Sequence, residues 1–157
     1  LPVVVRGAVR ATFQIVRTPL QAITGIVTGI AYVSGDAFGT MFEIPVPPAG
    51  EITGALFIDK DDEGIETDLV LFDAPFDQTA DNAAFTVSDA DMEKLIGTIT
   101  FATFKNYAVN QSSVAAGMGL DYVAPLQKIY AQAVTRGAPN IAAANLPMVR
   151  LVIRSYE

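Results

Sequence analysis

The sequence predicts a mainly β chain, a jelly-roll-like antiparallel β-sandwich with one short helix near residues 89–96. Three observations carry that expectation. Short stretches of alternating apolar and polar residues recur along the chain, each bounded by Gly, Pro, Asn or Asp. No strand–helix alternation and no internal repeat is present. The chain has 157 residues, 51% of them hydrophobic and only 17% charged, which suits one domain with a substantial core. About eight short strands result, the number of a jelly roll. Residues 1–157 therefore read as one domain, with a candidate extended arm over 18–33.

The elements follow in order. Val9 to Ile15 alternates, placing Val9, Ala11, Phe13 and Ile15 on one face of a strand that Thr18-Pro19 ends. Leu20 to Tyr32 is rich in Ile, Val and Thr but interrupted by Gly25 and Gly29. It reads as a bent strand or arm; the spacing of Ile23, Ile26, Val27 and Ile30 also suits a helix, which the glycines and β-branched residues oppose. After a turn at Ser34-Gly35-Asp36 come strands at Phe38–Val46, Ile52–Ile58 and Thr67–Phe72, with the polar stretch 59–64 as a hairpin loop between the last two.

Ser88 precedes Asp89-Ala90-Asp91-Met92-Glu93-Lys94-Leu95-Ile96. A cap, an acidic first turn and Gly97 as a stop predict a helix of about two turns. Gly97 to Phe104 alternates again, with Ile99 and Phe101 on one face. Asn106 to Gly119, rich in small residues, reads as a loop. Leu120–Val123, Ile129–Thr135 and Met148–Ile153 read as closing strands, with a turn at Gly137–Asn140 and a short helical loop at Ile141–Asn145.

Composition excludes several chemistries. The chain has no Cys, His or Trp. Ser-His-Asp, Cys-His and His-metal sites are therefore impossible, and no disulfide framework exists. Net charge is −7, the wrong sign for a general nucleic-acid binder. The apolar stretch Leu20–Val33 is too short and too interrupted to cross a bilayer, and Leu1–Val5 runs into Arg6 and Arg10 without the pattern of a signal peptide. High apolar and low charged content suggest that a partner covers part of the surface.

The charges are unevenly placed. Fifteen acidic residues lie from Asp36 to Glu93, against one basic residue, Lys60. Arg6, Arg10 and Arg17 lie near the start, and Arg136, Arg150 and Arg154 near the end. Side by side, the terminal strands would form one basic face; scattered surface arginines are the plainer reading.

Candidate chemistry is sparse. Asp59, Asp61, Glu63 and Gly64 match the first half of a calcium loop, but its twelfth position, a bidentate Glu, is Val70. A solvated loop tip is the better reading, and no metal or cofactor is expected. Asp73, Asp77 and Asp81 offer carboxylate pairs for a hydrolase, without the Trp platforms that sugar grooves favour. Gly25–Gly29 lacks the Lys and spacing of a phosphate loop. An enzyme is not expected.

The central segment is more specific. Thr67-Asp68-Leu69-Val70-Leu71-Phe72-Asp73 is followed by Asp81-Asn82-Ala83-Ala84-Phe85, Ser88-Asp89-Ala90-Asp91 and Leu95-Ile96-Gly97-Thr98-Ile99-Thr100-Phe101. With Ser34-Gly35-Asp36 and Ile52-Thr53-Gly54-Ala55 upstream, this order resembles the tailed-bacteriophage head decoration, or cement, proteins. The likeness spans Ser34 to Phe101; Leu20–Ile30 departs from it in being more apolar.

The resemblance implies a virion protein, often a homotrimer, bound to the outer capsid surface over junctions of the major capsid protein, with no catalytic residues. It also implies structural motif roles: Leu69, Leu71 and Phe72 in a strand, Phe85 as an anchor beneath the helix, Asp81 and Ser88 as loop and helix caps, and Asn82 beside Asp81. Arg6, Arg10, Arg17, Arg150 and Arg154 are then the expected capsid-facing residues, and Ile23, Ile26, Val27 and Ile30 the expected oligomer or arm contacts. The alternative is a carbohydrate- or receptor-binding module of a fibre or adhesin, which predicts Tyr107, Tyr122 and Tyr130 exposed together.

Overall fold

A computed structural model describes residues 12–156. Two antiparallel sheets face each other. In chain order the elements are β1 (Phe13–Arg17), β2 (Gln21–Ala22), β3 (Ala37–Pro45), β4 (Ala49–Asp59), β5 (Thr67–Phe72), α1 (Asp89–Met92), β6 (Leu95–Phe101), β7 (Lys105–Asn106), β8 (Gln111–Val123), β9 (Lys128–Thr135) and β10 (Met148–Tyr156). One sheet runs β1-β10-β4-β8-β7, with β2 also pairing β10; the other runs β3-β9-β5-β6.

The pairing is nested. β1 pairs β10, β3 pairs β9, β4 pairs β8 and β5 pairs β6, and successive nested pairs alternate between the sheets. This is the winding of a jelly roll, as the strand count predicts. The first and last described strands are neighbours, with Ile15 opposite Arg154 and Arg17 opposite Val152.

The core is built by alternation. Val149, Leu151 and Ile153 point inward from β10, and Ile52, Ala55 and Phe57 from β4. They meet Leu69, Leu71, Ile99, Phe101 and Ile129 from the other sheet. Phe57 and Phe101 bridge the two sheets with ring centroids 5.3 Å apart. Each fully buried Leu, Ile or Phe contributes about 1.5–3 kcal/mol.

A second apolar layer lies outside the smaller sheet. Val70, Phe72, Tyr130 and Val134 face away from the main core and are covered by Phe76, Phe85 and Val87. Phe76 stacks on Phe72 with centroids 3.9 Å apart. The covering segment, residues 73–94, is pinned by Gln132, which is fully buried. Its amide donates to the Gly39 and Thr79 carbonyls, and its oxygen accepts the Thr79 N–H.

Four sequence expectations are corrected. The stretch Asn106–Gly119 is largely strand: β8 runs for 13 residues because β4, its partner, is long enough to template it. Small residues at Ala115, Ala116 and Gly117 flank a register shift there rather than ending the strand. The 59–64 stretch is not a hairpin, since β4 and β5 lie in different sheets. The helix is half the expected length: Leu95 and Ile96 already belong to β6, so Gly97 is a strand residue and not a helix stop.

The candidate arm at 18–33 is folded onto its own sandwich. Gly25 and Gly29 have φ of 75° and 73°, which turns the chain back. Ile23, Ile26 and Tyr32 consequently enter the main core.

Candidate interaction face

The two sheets treat their outer faces differently. The smaller sheet is covered by residues 73–94 of the same chain. Nothing among the described residues covers the outer face of the larger sheet. Antiparallel sheets with a solvated face usually alternate apolar-in and polar-out. This one does not.

Register places the outward side chains. From β1 come Phe13, Ile15 and Arg17; from β10, Met148, Arg150, Val152, Arg154 and Tyr156; from β4, Leu56 and Ile58; from β8, Val114, Ala116 and Val123. Phe13 is 55% exposed, Ile15 58% and Val114 68%. Adjacent exposed apolar residues on one face, unlike scattered ones, mark a contact surface.

The face has two halves. At one end the charges are engaged: Arg154 donates from Nη1 to Glu51 at 2.8 Å and lies 4.9 Å over the Phe13 ring, although its Nε is buried without an acceptor among the described residues, and the Tyr156 hydroxyl donates to Asp121 at 2.8 Å. That bond and burial hold the Tyr156 phenol above its usual value. Towards the other end, Arg17, Thr53, Gly54, Ala55, Leu56, Val114, Ala115, Ala116, Arg150 and Val152 line an open depression of about 300 Å³. Neither Arg17 nor Arg150 has an ion pair among the described residues, and the Arg150 Nε is buried without an acceptor.

The five expected capsid-facing arginines are thus divided. Arg17 and Arg150 stand together at the depression. Arg154 is on the same face, but its charge is engaged by Glu51. Arg6 and Arg10 lie outside the described residues. Arg136 is elsewhere, bound to the buried Asp68 on the smaller sheet at 2.6 Å.

The expected arm contacts divide too. Ile23 and Ile26 belong to the chain's own core, while Val27 and Ile30 remain exposed. Leu69 and Leu71 point into the main core and Phe72 into the outer apolar layer, which Phe85 joins. Asp81 accepts from the Tyr32 hydroxyl and from the Val27 and Gly39 N–H groups. Asn82 takes φ of 58° and donates its N–H to the Ala37 carbonyl.

Ser88 caps α1. Its oxygen accepts the Asp91 N–H, and its hydroxyl donates to the Asp91 carboxylate. Lys94 and Ser88 together hold the Asp91 carboxyl below its usual range.

The competing readings find less. Tyr107 is exposed, but Tyr122 and Tyr130 are each only 5% exposed and sit in opposite sheets, so they form no aromatic platform. Asp73 borders a depression of about 390 Å³ that Asp81 does not line. The acidic loop is engaged in folding: Asp59 accepts from the Asp61 and Gly64 N–H groups, Asp61 holds Ala142 and Asn145, and Asp62 holds Asn106. Among the described residues no cluster suited to a metal ion is present, and no helix is long and apolar enough to cross a membrane.

Sequence reasoning missed Leu56, Val114 and Val152 as surface residues. The signal was present in β10: Val149, Leu151 and Ile153 fill one face, while Met148 and Val152 add apolar residues to an outer face shared with Arg150 and Arg154. Exposed apolar residues grouped on one sheet face mark a contact surface.

Fold and face together define a jelly-roll β-sandwich with one sheet closed by its own chain and the other left open among the described residues. No protein-family model, curated protein or solved structure matches the chain.

Proposed function

We propose that this chain is a structural protein of a tailed-phage head, a decoration or cement subunit that binds the outer capsid surface at junctions of the major capsid protein. The open, apolar face of the larger sheet is the observation that carries this reading. The central motifs from Ser34 to Phe101 supply the family likeness, and the open face supplies a surface for the task.

A shell packed with DNA is loaded outward, and its seams between capsomers are the weak points. A subunit laid across a seam adds buried area to it. A stable contact buries about 1,000 Å² or more, and repetition over the shell multiplies the effect. On this reading β1 and β10 face the capsid through Arg17 and Arg150, and the acidic 73–94 side faces outward. The subunit acts as a homo-oligomer, a trimer by the family likeness, and needs no cofactor, nucleic acid or membrane.

The test is to add the purified chain to phage heads lacking decoration and image them. Extra density over capsomer junctions, and heads that survive higher temperature, are expected. Heads that stay bare while the chain binds glycans on an array would overturn the reading in favour of the receptor-binding alternative.

A further inference from the structure

We infer that the depression between Arg17 and Arg150 is a socket for one apolar side chain flanked by a carboxylate, presented by an acidic segment of the partner protein. The inference rests on the docking role proposed for this face and specifies the chemistry of what docks.

Charge accounting is the first ground. The chain carries 17 acidic and 10 basic residues. Among the described residues Lys94, Lys128, Arg136 and Arg154 each pair with a carboxylate, while Lys60 and Lys105, both exposed, have no ion pair. Arg17 and Arg150 have none there either, although they border the same depression. A carboxylate on a partner would supply the counter-charge that these two lack among the described residues.

Hydrogen bonding is the second ground. The Arg150 Nε is buried and has no acceptor among the described residues. A buried donor left unpaired costs about 1–3 kcal/mol, and more on a charged group. A carboxylate brought to the guanidinium recovers that cost through a short, charge-assisted bond, in the paired geometry that Arg favours over Lys.

Shape is the third. On the outward face Gly54 and its cross-strand neighbour Ala116 are small, whereas Leu56, Val114 and Val152 stand beside them. Small residues in mid-sheet leave the hollow, and apolar neighbours favour an apolar occupant. A second copy docked face to face would set Arg17 and Arg150 against their own counterparts, a like-charge contact that opposes that arrangement.

The experiment uses the full chain and two synthetic probes, an acetylated peptide alternating Asp with Leu and its counterpart alternating Lys with Leu. Binding is followed by NMR through the Arg150 Nε–H and the amides of Gly54, Ala115 and Ala116. The acidic probe is expected to shift these signals, to bind at least about fivefold more weakly to Arg150→Gln, and to weaken as salt rises. Arg17→Gln, at a more exposed site, provides a second variant should Arg150→Gln fail to fold. Equal binding of the Lys probe, unmoved Arg150 and Gly54 signals, or unchanged affinity in the variants would overturn the inference. Heads decorated normally by a chain that ignores the acidic probe would defeat the socket and leave the docking role standing. A chain that binds the probe but never the heads would defeat the docking role and leave the socket.

Discussion

The Tyr32 hydroxyl donates to the Asp81 carboxylate at 2.8 Å, across 49 residues of sequence. Asp81 also accepts the Gly39 N–H at 2.6 Å and the Val27 N–H at 2.9 Å. One carboxylate thereby ties together the crossing segment 20–33, the edge strand β3 and the segment that covers the smaller sheet. Burial, and then the bond to Asp81, push the Tyr32 phenol well above its usual range, so it stays a donor.

Removing that acceptor strands the Tyr32 hydroxyl and the Gly39 N–H, while the Val27 N–H keeps the Tyr32 oxygen at 3.1 Å. Asp81→Ala is expected to destabilise the fold by about 2–4 kcal/mol, read as a lower urea midpoint. Tyr32→Phe, which leaves the two backbone donors served, should cost less.

Gly39 lies in β3 with φ of 84°, and an added Cβ would meet the Thr24 carbonyl oxygen at 2.5 Å. Gly39→Ala therefore meets both a strained backbone and a clash with main chain. A loss of about 2 kcal/mol or more is expected by thermal or urea unfolding. Gly29, also at positive φ but with nothing within 4 Å, should suffer less from the same change.

The Tyr122 hydroxyl is buried without a partner among the described residues, and desolvation pushes its phenol up to about 12. Tyr122→Phe removes an unsatisfied group while keeping the ring, so stability should be unchanged or higher by up to about 1 kcal/mol. The pH dependence has a definite sign. The folded value lies above the unfolded value of 10.0, so the neutral phenol's share of stability is complete below pH 10 and is lost as pH rises to about 12. Alkaline unfolding of the variant should be shallower over that window.

Asp91 has the opposite sign. Its carboxyl is held below the usual value by Lys94 and Ser88. Its contribution is complete above the unfolded value of 3.8 and is lost as pH falls through the depressed folded value. Amide exchange around Asp77 and α1 should stay slow down to the ordinary carboxylate range and rise below it. In Asp91→Asn that protection should weaken at neutral pH.

Val114 is 68% exposed at the rim of the socket. Val114→Lys is expected to change unfolding stability by no more than about 0.5 kcal/mol, because nothing is packed on it. Attachment to undecorated heads, measured by co-sedimentation, should fall at least tenfold. Retained attachment would remove the open face from the contact.

Much of the fold was legible because alternation and punctuation are local. β5 matches its expected bounds, and β3, β6 and β9 come within a few residues, since each is a short run of strand-favouring residues set off by turn residues. Ser88 as a cap was equally legible, being a relation between neighbours. β8 was not: its small residues have little strand preference of their own, and β4 holds them in the sheet by long-range pairing. Ile23 and Ile26 misled for a related reason. Periodicity shows that a segment has an apolar face without showing whether its own core or a partner receives it.

The sequence by itself determined a mainly β sandwich, excluded His and Cys chemistry, and placed arginines near both ends of an acidic chain. Those facts are fixed by composition and by period-two patterning. Only the tertiary structure decided that β1 lies beside β10, that Arg17 and Arg150 share one depression while Arg154 is paired to Glu51, and that one sheet is covered and the other open among the described residues. Such relations arise from pairing between residues more than a hundred positions apart, and no local pattern encodes which distant strand becomes the neighbour.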